Sequence, residues 1–209
     1  MKRLSVFIGF VSLVACSNAN GQNPSQTVVA NVTSEQIISG EQTKSGWTVD
    51  KTKSTLGFSG KQSGAAFTGS FGDFEASINF DPDNVAVANV AVTIIMSSAT
   101  TDDSESTNAL PGEEWFDVKK FPVAKFEASD FKHLQDDKYE AKGNLTIRNI
   151  TQEIVLPFKL KIENKRAIMD AQLSLDRTAY KVGTGMWASK DWVEHDIVVD
   201  IHLEATQKK

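Results

Sequence analysis

The sequence predicts an all-β domain whose antiparallel strands wrap into a sandwich or a closed barrel. Three observations carry this. Apolar residues recur at every second position over long runs: Tyr139 to Ile147, Ile154 to Ile162, Ala167 to Leu175 and Val193 to Ala205. That period places apolar side chains on one face of a strand and polar ones on the other. Compact polar connections, Asn149-Ile150-Thr151 and Glu163-Asn164-Lys165, fit hairpins between those runs. Only one region, Thr101 to Phe121, breaks the rhythm.

Taken in order, the chain opens with a positive start at Lys2 and Arg3, an apolar middle from Val6 to Val11, and Leu13-Val14-Ala15-Cys16. This resembles a bacterial lipoprotein signal, cut before a cysteine that takes the lipid. The apolar run is shorter than the roughly 20 residues a spanning helix needs. Residues 1–15 are therefore expected to be a signal peptide and Cys16 the lipid attachment site. Firm anchoring needs more than one acyl chain. Ser17 stands where an aspartate would mark retention in the inner membrane. The expected location is the cell envelope, on the periplasmic side, at the outer membrane where the organism has one.

Residues 16–45 are rich in Asn, Gln, Ser, Thr and Gly and lack aromatics. Such a stretch buries too little apolar area to offset its ordering entropy and reads as a tether. The folded domain is expected over 46–207. Within it, Phe74, Ala76, Ile78 and Phe80 mark a strand ended by Asp81-Pro82-Asp83-Asn84, and Val90, Val92, Ile94 and Met96 mark the next. The acidic stretch from Thr101, followed by Leu110-Pro111-Gly112-Glu113-Glu114-Trp115-Phe116, reads as a loop with a short helix covering one end. The polar positions mix charges of both signs at close spacing, which suits a soluble barrel with an apolar interior better than an outer-membrane barrel.

Composition excludes several functions. The 209-residue chain carries a net charge of −5, so nucleic acid is not an expected partner. With its single cysteine acylated, the domain has no disulfide and no thiol chemistry. His133, His195 and His202 lack metal-ligand spacing. By alternation His195 falls on the apolar face of the last strand, as a hydrogen-bonded core histidine, and His202 on the polar face. No Ser-His-Asp set or paired acid stands out. No catalytic residue, metal or cofactor is expected, and Gly183-Thr184-Gly185 lacks the lysine and following helix of a phosphate loop.

Five segments together resemble the YceI-like, polyisoprenoid-binding family. They are Trp47-Thr48-Val49-Asp50 with Ser54 to Phe58; Gly69 to Phe80; Trp115 to Pro122 with Phe126 to Ser129; Gly143 to Thr151 with Val155 to Phe158; and Leu175 to Gly185. Asn149 stands where the family usually has glycine, and the loop Thr101–Leu110 lacks the arginine and histidine many members carry. The resemblance implies a lipocalin-like barrel of eight antiparallel strands with a long apolar cavity. It implies an isoprenoid lipid as ligand, such as a quinone or an isoprenyl phosphate, held without chemistry. The alternative is a structural or interaction module of the envelope with a filled barrel core; a homodimer is a further partnership considered.

A polyisoprenoid offers little for polar recognition, so its site needs apolar wall. The candidates are Phe58, Phe67, Phe71, Phe74, Ile78, Phe80, Ile94, Trp115, Phe116, Phe126, Leu145, Phe158, Met169, Tyr180 and Trp187. Trp115 and Phe116 lie in the irregular segment, where a mouth or lid belongs. Arg177 is the candidate for a head group, being permanently charged and fork-shaped; its alternative is an ion pair with Asp176 or Glu153.

Overall fold

Tight turns with left-handed backbone set the strand register. The computed structural model describes residues 46–208. The expected signal peptide, Cys16 and the tether lie outside the described residues. Ser63 and Gly64, Arg148 and Asn149, and Asn164 and Lys165 all have positive φ. Each pair joins two strands that pair up to the turn itself, as in Ile147↔Ile150 and Glu163↔Arg166. Two successive positive φ values give the turn whose twist matches the strands it connects. The first long hairpin thus turns at Arg148-Asn149, one residue earlier than the sequence suggested, with Asn149 (φ 58°) in the place of a glycine.

The strands are β1 (Gly46–Val49), β2 (Thr55–Gln62), β3 (Ala65–Phe71), β4 (Phe74–Asn79), β5 (Asn89–Ile95), β6 (Ala99–Thr101), β7 (Val123–Gln135), β8 (Lys138–Ile147), β9 (Ile150–Glu163), β10 (Arg166–Asp176) and β11 (Asp196–Gln207). One edge of β11 is shared: β1 pairs with Ala205–Gln207 and β2 with Val198–His202. β3 and β4 run end to end against β2 and β1, and β6 and β5 against those. Each broken pair acts as one long strand. Eight antiparallel strands then close on themselves, the last ladder being β1 on β11. Closure removes the open edges that a flat sheet would expose.

The alternation predicted for β8, β9, β10 and β11 sends one residue in two inward, and the barrel interior is their shared face. At one end Trp47, Phe80, Phe131, Tyr139 and Phe158 pack together. Phe80 meets Phe131, Tyr139 and Phe158 edge-on at 5.5, 5.7 and 6.1 Å between ring centres. Trp47 Nε1 donates to Phe80 O at 2.9 Å, which satisfies the buried indole. This aromatic floor seals that end. The other end is covered by the irregular region. Its helix α1 (Ser104–Ala109) precedes the Leu110–Phe116 run, which is itself a series of turns. Asp103 caps α1 by accepting from Ser106 N at 2.7 Å.

Candidate functional site: a two-chambered apolar interior

The inner chamber begins above the aromatic floor. It has a volume of about 230 Å³, and its wall is apolar except for Thr55 and His202. Small residues create the room. Ala76, Ala124, Ala141, Ala167 and Ala205 face this space from five different strands. An eight-stranded barrel filled by large side chains has little free volume; here alanine replaces bulk at those positions.

The outer chamber, about 340 Å³, lies beneath α1 and the loops that close the barrel. Phe71, Phe116, Ile147, Leu175 and Val199 belong to both walls, so the two spaces adjoin. Phe71 and Phe116 stand 5.8 Å apart at that junction. The ring of Phe58 lies tilted against Phe71, 5.3 Å between ring centres. Opposite Phe58 on the paired strand is Gly69, where an added Cβ would collide with that ring. The outer rim turns polar at Gln62, Thr101, Asp103, Glu105 and Ser106.

Two arginines build the cap. Arg177 is only 5% exposed. Its guanidinium donates Nε–H to Glu194 O at 2.9 Å, Nη1 to Val182 O and Gly183 O at 2.8 and 3.1 Å, and Nη2 to Trp187 O and Val193 O, both at 2.6 Å. The Trp115 ring lies 5.9 Å from its charge centre. All five N–H donors are thus committed to backbone carbonyls. This corrects both expectations for Arg177. No donor is left for a head group, and no carboxylate pairs with it: Asp176 accepts from Thr178 and Glu153 pairs with Lys142 at 2.9 Å. Burial lowers the guanidinium's pKa from its usual value, the nearby Asp176 opposing this. Gly183 (φ 76°) is required beside it, because a Cβ would strike Arg177 Nη1.

Arg148, from the β8–β9 turn, donates to Trp115 O and Lys181 O at 2.5 Å each and lies over Phe121. Across the same gap Thr184 N donates to Glu114 O at 2.7 Å, and Trp187 Nε1 to Glu114 Oε2 at 3.1 Å. Trp115 and Trp187 sit 5.7 Å apart. The loops around residues 111–121 and 181–189 are therefore pinned to one another over the barrel end.

The structure distributes the predicted wall residues between the two spaces. Phe74, Ile78, Phe80, Ile94, Phe126, Leu145, Phe158 and Met169 line the inner one. Phe58, Phe67, Trp115, Arg177, Tyr180 and Trp187 line the outer one, and Phe71 and Phe116 both. Sequence reasoning missed Trp47, Leu56, Phe131 and Leu156 on the inner wall, and the alanines. Leu156 belonged to a recognised alternating run. Phe131 was hidden because a bulge between Ala128 and Asp130 shifts the inward phase of β7. His195 differs from expectation: it precedes β11, is only partly buried, and its Nε2 bonds Ala188 O at 2.9 Å. His202 does face Asp170, at 2.7 Å. Among the described residues no group of His, Cys, Asp and Glu is arranged to hold a metal.

Fold and site together define a closed antiparallel barrel with an apolar interior cavity and one polar-rimmed end. Residues 47–205 match the YceI-like domain, and the chain belongs to that family. It is 35% identical over 97 residues to a UPF0312 protein of Photorhabdus laumondii, covering 46% of this chain and 50% of that one. To a UPF0312 protein of Yersinia pestis it is 39% identical over 92 residues, 44% and 47% of the two chains. It spans about half the length of these curated relatives. Among solved structures, BcnA of Burkholderia cenocepacia superposes with a TM-score of 0.73 at 30% identity, over 76% of this chain and all of that one. A YCEI protein of Campylobacter jejuni gives 0.59 at 26% identity, over 68% and 85%. A polyisoprenoid binding domain from Saccharophagus degradans shares the fold, with a TM-score of 0.63 at 13% identity over 78% and 98%.

Proposed function

We propose that this protein binds a polyisoprenoid lipid inside its barrel, and holds or carries it in the cell envelope without transforming it. The observation that carries the reading is the alanine-lined inner chamber, an apolar space that adjoins the outer chamber and is floored by aromatic rings. A long hydrocarbon is the ligand such a wall suits. Burying a few hundred Å² at roughly 25 cal/mol per Å² contributes on the order of 10 kcal/mol gross, which the losses of association reduce strongly. Membership of the YceI-like family supports the same reading. In this proposal Cys16 carries the acyl chains and residues 16–45 hold the barrel off the membrane surface, at the outer membrane where there is one.

The test is native mass spectrometry of the full chain purified from a bacterial envelope, with extraction and identification of bound lipid. A stoichiometric isoprenoid is the expected result. An empty protein that also refuses added long-chain quinone overturns the proposal and favours an interaction module instead. Cys16→Ser is expected to abolish incorporation of labelled fatty acid; undiminished label would overturn the anchor.

A further inference from the structure

Two large side chains of the cap are left out of the barrel they cover. Between Thr184 and Val193 the backbone makes one tight turn after another: Trp187 N donates to Thr184 O at 3.2 Å, Ser189 N to Met186 O at 3.5 Å, and Trp192 N to Ser189 O at 3.2 Å. Trp187 and Val193 line the outer chamber from this segment. Met186 and Trp192 do not; they are 55% and 47% exposed. The backbone holds Trp192 in that position, since its carbonyl accepts from Ser63 N at 2.8 Å and Gln62 bridges to Val193. The indole N–H of Trp192 has no partner among the described residues. A large ring with a free N–H suits the boundary between lipid and water, where one side is apolar and the other wet.

Charge selects the occupant. The segment carries Lys181 and Lys190, both exposed and neither in an ion pair with a described residue, against Asp191. The next acid, Glu194, is matched by Lys61 at 3.8 Å. The opposite end of the barrel also exposes two apolar residues, Val87 and Leu134, but the turns there carry Asp81, Asp83, Asp136 and Asp137 against Lys138. The α1 side of the cap is acidic too, with Asp102, Asp103 and Glu105. An anionic lipid surface attracts the first of these regions and repels the other two. We propose that the segment from Lys181 to Trp192 docks on an anionic bilayer surface, with Met186 and Trp192 in the interface and Lys181 and Lys190 on lipid phosphates. Apolar burial and charge act together in such docking. Its purpose rests on the lipid-binding reading: the docked cap lets an isoprenoid pass between barrel and bilayer without exposing its chain to water. Docking is then the exchange state of a barrel that otherwise stands off the surface.

The full chain is reconstituted in phosphatidylethanolamine vesicles with and without phosphatidylglycerol, the acyl chains brominated near the headgroup, and tryptophan quenching is read. Trp192 is expected to be quenched in the anionic vesicles, and Trp192→Phe to remove that quenching without moving the unfolding midpoint. Lys181→Gln combined with Lys190→Gln should lower the docked-to-free ratio about tenfold or more, and high salt should act the same way. Equal quenching of wild type and Trp192→Phe, or quenching indifferent to both lysines, overturns this inference. So does a Trp192 already shielded from acrylamide in the vesicle-free protein, which would mark the segment as a protein–protein contact. Extraction of bound isoprenoid from the same preparation reads the proposed lipid binding separately. Docking without bound isoprenoid leaves this inference standing, whereas bound isoprenoid with an unquenched Trp192 overturns this one alone.

Discussion

The indole N–H of Trp187 donates to Glu114 Oε2 at 3.1 Å, joining two loops that are far apart in sequence and meet over the capped end of the barrel. Around this bond the two loops share a backbone contact, Thr184 N to Glu114 O, and the Trp115–Trp187 ring pair. The outer chamber lies beneath, with both tryptophans in its wall. A lipid that passed between these two loops would have to break this bond.

Glu114→Ala removes the acceptor and leaves the rings in place. One net hydrogen bond is worth about 0.5–1.5 kcal/mol, so lipid release is expected to speed up by roughly two- to tenfold. Glu114→Gln keeps a carbonyl acceptor and should release at close to the wild-type rate. Stopped-flow tryptophan fluorescence on lipid-loaded protein measures this. Equal release rates for Glu114→Ala and wild type would show that the lipid leaves by another route.

Arg177 holds the second loop by a different means. A buried cation without a carboxylate partner is tolerable only because five carbonyl dipoles and the Trp115 face surround it. Lysine has one nitrogen and three N–H groups and cannot span carbonyls placed around a planar fork. Arg177→Lys is expected to cost about 2–4 kcal/mol in urea unfolding, since it strands several carbonyls and keeps the buried charge. A change within about 0.5 kcal/mol would mean that water replaces those bonds at no net cost.

Asp103 ties stability of the short helix to pH. Its carboxylate accepts from Ser106 N, and this bond, the largest cause, holds its pKa below the usual aspartate value. The folded state thus releases this proton more readily than the unfolded state. The stabilisation is complete above the unfolded aspartate pKa and is lost as pH falls through the lower folded value. The amide resonance of Ser106 should follow this titration, with a midpoint below that of an ordinary aspartate, and Asp103→Asn should flatten it. A midpoint at or above the ordinary value would remove the cap from the account of this helix.

The strands were legible because one physical cause, a buried face opposite a wet one, repeats every second residue. β8 to β11 follow that pattern along their length. It fails where the backbone inserts a residue: the bulge after Ala128 puts Phe131 on the inner wall although its spacing from Phe126 argues otherwise. The cap was legible only as an interruption. Arg177 sits beside Asp176 in sequence, which suggested an ion pair, yet its partners are carbonyls up to 17 residues away. The cavity itself was the least legible feature. A sequence lists what is present at each inward position, whereas a cavity depends on how five alanines from separate strands add up in three dimensions.

Those alanines give the most direct test of the interior. Ala141 is 2% exposed and faces the inner chamber from β8. In a filled core, enlarging it to leucine would force neighbours off their rotamers and cost about 1–3 kcal/mol. With an adjoining space of about 230 Å³, the added carbons enter room that is already present and bury apolar surface there, so stability should hold or rise slightly. The same atoms then occupy the lipid's path. Ala141→Leu is expected to keep its unfolding midpoint while lipid occupancy falls about tenfold or more; Phe158→Trp, deeper and within the aromatic floor, should act in the same direction. Paired urea unfolding and native mass spectrometry on each variant separate the cases. Lost stability with unchanged occupancy would mean that this wall is ordinary packed core and that the ligand, if bound, sits elsewhere.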